Sequence, residues 1–198
     1  DTICHEHLEY YSSKVIINLA KKNNLRVFDI KKNNINGSSK QFYLCHRDAV
    51  YKSNKKAINN ELKIEAKSKL QKIKTFKKLE KEINELRIKL LNFLIETKNK
   101  GKSVHGYGAS TKGNVLLQYF DIGNNLVKYI AERNKNKFNL YTPGSKIKII
   151  SEEHSRALKP DFYLVLPWHF KKEILMRERK IRKKGTRFIF PLPTLKII

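Results

Sequence analysis

The stretch that decides the fold is Gly106-Tyr-Gly-Ala-Ser-Thr-Lys-Gly113. Ser103 to Tyr107 reads as a strand leading into it, and Thr111 to Phe120 as the helix that follows. Glycines at such a junction let the backbone turn sharply and approach a ligand. The helix N-terminus then presents unpaired N–H groups to an anion. Gly106, Tyr107 and Gly108 would supply backbone, while Ser110, Thr111 and Lys112 would add hydroxyl and ammonium donors. A second strand, Leu126 to Ala131, runs into Glu132. That carboxylate stands about 20 residues beyond the loop, where an acidic side chain can bind ribose hydroxyls. The spacing departs from G-x-G-x-x-G, and it is not a P-loop, whose Lys follows its last Gly directly. The alternative is a tight turn whose glycines serve packing alone.

Working downstream, Ser151-Glu-Glu opens a helix to Leu158, its cap and early acidic charges matching the helix dipole. Phe162 to Leu166 is a continuous apolar run, as expected of a strand buried on both faces. Lys171 to Lys183 forms a basic helix and Arg187 to Phe190 another strand. This β-α-β order predicts an α/β domain over 101–198 with a mostly parallel, helix-covered sheet. Leu166-Pro-Trp-His-Phe170 closes the buried strand at its carboxyl end, where ligands of open α/β sheets sit. Either Trp168 stacks on a base or sugar and His169 donates a hydrogen bond, or Trp168 caps the core and His169 begins the next helix.

Upstream, 55–100 contains neither Gly nor Pro. Apolar residues from Ile58 through Leu62, Leu70, Phe76, Ile83 and Leu90 to Phe93 recur in steps of three and four. The pattern predicts one long amphipathic helix, or two in line, packed along its own protein in preference to a coiled coil. Residues 1–54 offer helical spacing from Tyr10 to Leu19 and strands at Leu25–Ile30 and Gln41–His46, joined by a polar turn. So few elements cannot bury a sheet on both faces, and the segment is expected to be the tail of a larger domain. Cys4-His-Glu-His7 packs titratable groups together. It lacks the three or four nameable ligands of a zinc site, so no metal is assigned. A histidine beside a carboxylate suits acid–base work better.

Of 198 residues, 43 are Lys or Arg and 18 Asp or Glu, a formal net charge of +25. Such a field attracts polyanions. Yet the excess is mostly lysine spread along the chain, beside many Asn and Ile, which favours a solvated surface over a nucleic-acid site. No apolar run approaches the ~20 residues of a membrane helix. Residues Asp1 to Glu9 lack the order of a signal peptide. Cys4 and Cys45 are too few and too far apart for a disulfide framework. A cytoplasmic, membrane-free protein is expected.

Five blocks in order carry a family resemblance. They are Asp1-Thr-Ile-Cys-His-Glu-His-Leu-Glu-Tyr-Tyr-Ser12, Gly106 to Leu117, Ala131-Glu-Arg-Asn134, Tyr141-Thr-Pro-Gly144 and Lys159 to Phe170. Together they resemble the S-adenosylmethionine-dependent sugar C-methyltransferases. The resemblance implies a Rossmann-like C-terminal domain at 101–198, a helical connector at 55–100, and the end of a class I methyltransferase domain at 1–54. It implies a nucleotide-linked keto-deoxysugar as substrate and S-adenosylmethionine as cofactor, most of whose binding domain, with its glycine loop, would lie upstream of Asp1. By the same resemblance His7 is the base that removes a proton next to the keto group, with Glu6 and His5 beside it. Cys4 stands where the family has Tyr. The glycine loop, Glu132, Arg133, Trp168 and His169 would line the nucleotide-sugar side.

The chain is therefore expected to be a C-terminal enzyme portion, inactive alone and needing a longer gene product or a separate S-adenosylmethionine-binding chain. The competing readings are a non-catalytic nucleotide-sugar binding module and a basic nucleic-acid-binding protein. The last is tested directly. In about 150 mM salt, where screening acts over about 8 Å, duplex DNA should bind weakly, without sequence preference, and ever less as salt rises. Sub-micromolar affinity for one duplex over scrambled DNA in a filter-binding assay would establish a dedicated site instead.

Overall fold

A computed structural model describes residues 7–33 and 38–198, in two compact units, Leu8–Lys81 and Glu82–Ile198 with His7.

In the smaller unit, α1 (Ser13–Lys22) starts where the Ser12 hydroxyl accepts the Val15 N–H, and ends in Lys21 and Lys22, whose charge suits a helix C-terminus. The hairpin of β1 (Leu25–Asn33) and β2 (Ser39–His46) is antiparallel, with a bulge between Val27 and Asp29. Ala20, Val27 and Ile30 form its small core, with Ile58 of α2 (Lys55–Ser68) packed against them. Two buried carboxylates of α2 bind the pieces together. Glu61 lies 2.6 Å from both Lys32 and Lys40, and Glu65 lies 2.8 Å from Lys40 and accepts the Ser13 N–H at 2.6 Å. Burial opposes ionisation of Glu65, but the Lys40 and Ser13 donors prevail and hold its carboxyl down to about 2.

The long amphipathic stretch is two helices. α2 stops where Lys69 takes φ +51, and α3 (Ile73–Asn99) follows. A lysine in that left-handed region costs roughly 1–2 kcal/mol relative to a helical continuation. From Ile83 onward the apolar stripe of α3 packs against the core of the larger unit. Leu90 and Leu94 are fully buried there, and the Phe93 ring meets Phe162 edge-on at 5.2 Å.

The larger unit is an α/β sheet of six strands: β3 (Val104–Tyr107), β4 (Tyr129–Glu132), β5 (Lys148–Ser151), β6 (Phe162–Val165), β7 (Arg187–Phe190) and β8 (Lys196–Ile197). Their order is β5-β4-β3-β6-β7-β8, all parallel except β8. The helices are α4 (Thr111–Tyr119), α5 (Glu152–Ala157), α6 (Lys171–Arg177) and α7 (Arg179–Lys183). The chain winds outward from β3 to β5, then crosses to the other side of β3 to make β6. At such a reversal the loops leaving two neighbouring strands diverge, and a crevice opens between them. Among the described residues, no helix is long and apolar enough to cross a membrane.

Three details depart from the pattern in the sequence. β5 and β8 carry no strand signal of their own. β4 starts at Tyr129, not Leu126, because Leu126 and Val127 both donate to the Gly123 carbonyl in a turn. The single basic helix divides at Glu178, which is drawn inward until only 3% exposed.

Beneath the sheet surface a polar chain crosses the apolar core. His105 Nδ1 lies 2.8 Å from the Ser155 hydroxyl, which is 2.9 Å from the Tyr163 hydroxyl. Burial, with Lys128 and His154 nearby, pushes the His105 imidazole down to about 4. Unfolding releases it to an ordinary value near 6.5. Between those values the unfolded chain binds the extra proton, so stability must fall as pH drops from about 6.5 to 4. Urea unfolding across that range should show the loss, and His105→Asn should flatten the curve.

Candidate functional site

Two loops meet at the reversal between β3 and β6. After Tyr107, Gly108 takes φ +79 and donates its N–H to the Ala131 carbonyl at 2.7 Å. A Cβ there would come within 2.8 Å of the Pro167 ring, so glycine serves both conformation and contact. Ala109 is held from both sides. Its N–H donates to Glu132 at 2.7 Å, and its carbonyl accepts from the Lys137 ammonium at 2.8 Å. Ser110 caps α4 by accepting the Gly113 N–H at 3.0 Å. Gly113 then lets α4 lie directly on Leu166, just after β6, since a Cβ would sit 2.5 Å from that of Leu166.

Glu132 is the centre of this arrangement. One oxygen accepts from Ala109, and the other accepts the N–H groups of Arg133 and Asn134 at 2.7 and 2.9 Å. An ionised carboxylate offers about four acceptor directions. Three are used by backbone, leaving room for one further donor. Burial would raise its pKa, but the three backbone donations and the Lys137 charge outweigh it and hold the carboxyl below its usual range.

Above these loops lies a cavity of about 440 Å³, within the range of small-molecule sites. Tyr107, Gly108, Ala109 and Ser110 form one wall, with Glu132, Arg133 and Lys137 beside them. Pro167 and Phe170 come from the loop after β6, and Glu173, Ile174 and Arg177 from α6. Glu152, at the start of α5, completes it. Its floor is an ion network. The Tyr107 hydroxyl donates to Glu178 at 2.7 Å and accepts from the Arg177 guanidinium. Arg177 also donates to Glu152 at 2.8 Å, and Arg156 bridges Glu152 and Glu178. Burial, reinforced by Glu178, pushes the Tyr107 phenol well above its usual value, so it stays protonated.

Of the residues singled out from sequence, Tyr107, Gly108, Ser110, Glu132 and Arg133 line the cavity. Gly106 lies buried in β3, facing Ile130. Lys112 is half-buried on α4 and is not part of the lining. Trp168 is 6% exposed and belongs to the hydrophobic core, its ring 5.1 Å from that of His169. Tyr107 lines the cavity while almost fully buried, and the exposed aromatic face is that of Phe170, which is 53% exposed. Burial and the Lys112 charge lower the pKa of His169. His7 is exposed, while His5 and Glu6 lie outside the described residues. Sequence reasoning missed Lys137, Glu152, Phe170, Glu173 and Arg177. The one signal for Glu152 was the Ser151-Glu-Glu helix opening, which places acid at the end of a strand.

The three backbone bonds to Glu132 make it a structural pin as well as a lining group. Glu132→Gln turns one acceptor into a donor facing at least one of these backbone N–H groups, which should cost about 1–3 kcal/mol. Denaturant unfolding should register that loss, together with altered amide signals of Ala109, Arg133 and Asn134. Unchanged stability would show that the pin carries no load.

The sequence matches the family described as the C-methyltransferase C-terminal domain over residues 34–193. It is 29% identical over 198 residues to the C-methyltransferase NovU of Streptomyces niveus, covering all of this chain and 47% of that protein. The chain thus spans about half the length of the curated relative it matches. Every loop of the cavity falls inside the family match. The chain belongs to the C-methyltransferase C-terminal domain family.

Proposed function

We propose that this chain is the C-terminal part of an S-adenosylmethionine-dependent C-methyltransferase, and that its Rossmann-like sheet holds the nucleotide half of a nucleotide-linked keto-deoxysugar. The observation that carries the reading is the cavity at the strand-order reversal. It combines an approachable glycine backbone, an exposed aromatic face and cationic side chains. Phe170 offers a surface for a base or sugar ring. Arg133 can meet a diphosphate, and the remaining acceptor direction of Glu132 can take one ribose hydroxyl.

The methyl donor in this reading is S-adenosylmethionine. That cofactor supplies an electrophilic methyl on a cationic sulfonium, whereas the cavity wall is charge-balanced, with Glu132, Glu152 and Glu173 beside Arg133, Lys137 and Arg177. The exposed Phe170 face and Arg133 favour the sugar nucleotide as the occupant of the cavity. In this reading Leu8–Lys81 ends the cofactor domain, and methyl transfer needs the longer protein or a partner chain. His7 serves as the base that takes the proton next to the keto group.

Calorimetric titration separates the parts. A thymidine-diphosphate sugar should bind the 198-residue chain, and S-adenosylmethionine should not. Phe170→Ala should weaken the sugar nucleotide roughly 5- to 100-fold, the usual worth of one stacked base. Equal affinity of the parent chain and Phe170→Ala would remove the cavity assignment. In a complemented enzyme His7→Ala should lower turnover roughly 10²–10⁴-fold while leaving sugar-nucleotide affinity nearly unchanged.

A further inference from the structure

A second and larger hollow, of about 720 Å³, opens at the amino ends of β6 and β7, away from the glycine loop. Pro160 and Asp161 border it just before β6, and Gly185 and Thr186 just before β7. Its charged lining is lopsided. Arg156, Lys159, Arg177, Lys180 and Lys184 face two carboxylates, Asp161 and Glu178.

Both carboxylates are already engaged. Asp161 accepts the Ser103 N–H at 2.8 Å and the Ser103 hydroxyl at 3.2 Å. Glu178 accepts from Tyr107 at 2.7 Å and from Arg156 at 3.0 Å. Arg156 and Arg177 are fixed in turn by Glu152. The two guanidinium charges are thus paired with carboxylates. Among the described residues, Lys159, Lys180 and Lys184 have no carboxylate partner, and all three are exposed. Gly185 adds approachable backbone, with φ +102 and nothing within 4 Å of where a Cβ would stand. None of the lining residues is aromatic, so the hollow has no platform for a base.

Unbalanced ammonium groups around a concave, base-free surface match one ligand chemistry, the oxygens of linked phosphates. We propose that this hollow is a second anion site that takes a small polyphosphate, with Lys159, Lys180 and Lys184 supplying its charge. It shares only Arg177 with the sugar-nucleotide cavity, none of its three lysines lines that cavity, and it does not depend on that assignment. Its three lysines convert a small part of the diffuse basic surface into a local site, because all three line one hollow.

The probe is inorganic pyrophosphate, titrated into the chain by calorimetry and phosphorus NMR in about 150 mM salt. One saturable site is expected. Substituting Lys159→Gln, Lys180→Gln and Lys184→Gln together should weaken it at least tenfold. The control triple on α2, Lys55→Gln, Lys56→Gln and Lys63→Gln, removes the same charge from exposed positions elsewhere and should change affinity less than twofold. Both triples should keep the parent's thermal unfolding, since all six side chains are exposed. A nucleoside diphosphate should bind the hollow no tighter than pyrophosphate. Equal losses in the two triples, or no saturable site, would overturn the proposal. A nucleoside diphosphate bound ten times tighter and lost with the first triple would overturn the restriction to phosphate alone.

Discussion

The parallel pairing of β3 with β6 is the constraint on which the rest of the larger unit depends. Val104 to Tyr107 runs beside Phe162 to Val165, and here the winding of the sheet changes direction. Both strands are wholly buried, so neither loop at their carboxyl ends can slide without uncovering core. Close packing sharpens this. Gly113 lets α4 lie on Leu166, and Gly108 admits the Pro167 ring, so the two loops are spaced by backbone contact. The cavity is what remains above two loops that cannot approach further.

Charge in this region is used as mortar. Glu178 is nearly inaccessible yet ionised, because Arg156 and the Tyr107 hydroxyl compensate it. Stripping one partner from such a pair typically costs about 3–5 kcal/mol, far more than a surface pair is worth. The network fixes the first residue of the glycine-loop wall, Tyr107, to α5 and to the joint between α6 and α7. It also explains why one basic helix becomes two. Glu178 leaves the helical face to reach the core, and the helix breaks there.

Much of this was legible in the sequence. The glycine loop, its strand and its helix were plain, because glycines and apolar runs are local signals, whereas the capping role of Ser110 showed only in the fold. Glu132 was found by spacing, but its use as a pin was not, since three backbone amides converge on it only in the folded chain. β5 escaped because it is only four residues long and Lys148 interrupts its apolar pattern. Trp168 and Phe170 are two residues apart on one short turn. Which ring is buried and which faces the cavity follows from that turn's geometry, not from composition. Glu152 and Arg177 reach the site from 45 and 70 residues beyond Tyr107, and no motif spans that distance.

The net charge of +25 has a different meaning at each level of organisation. Over the whole chain it reflects lysines on solvated faces. In the network beneath the cavity it vanishes, because Glu152 and Glu178 balance Arg156 and Arg177 one for one. That balance is what makes the network rigid, since a buried unpaired cation would draw in water or an ion and loosen the packing. Unpaired charge can persist only where solvent screens it, at the rim of the cavity and along Lys159, Lys180 and Lys184. The fold thus separates two uses of the same residue types. Paired charges set geometry in the interior, and unpaired ones at the surface remain free to meet a ligand.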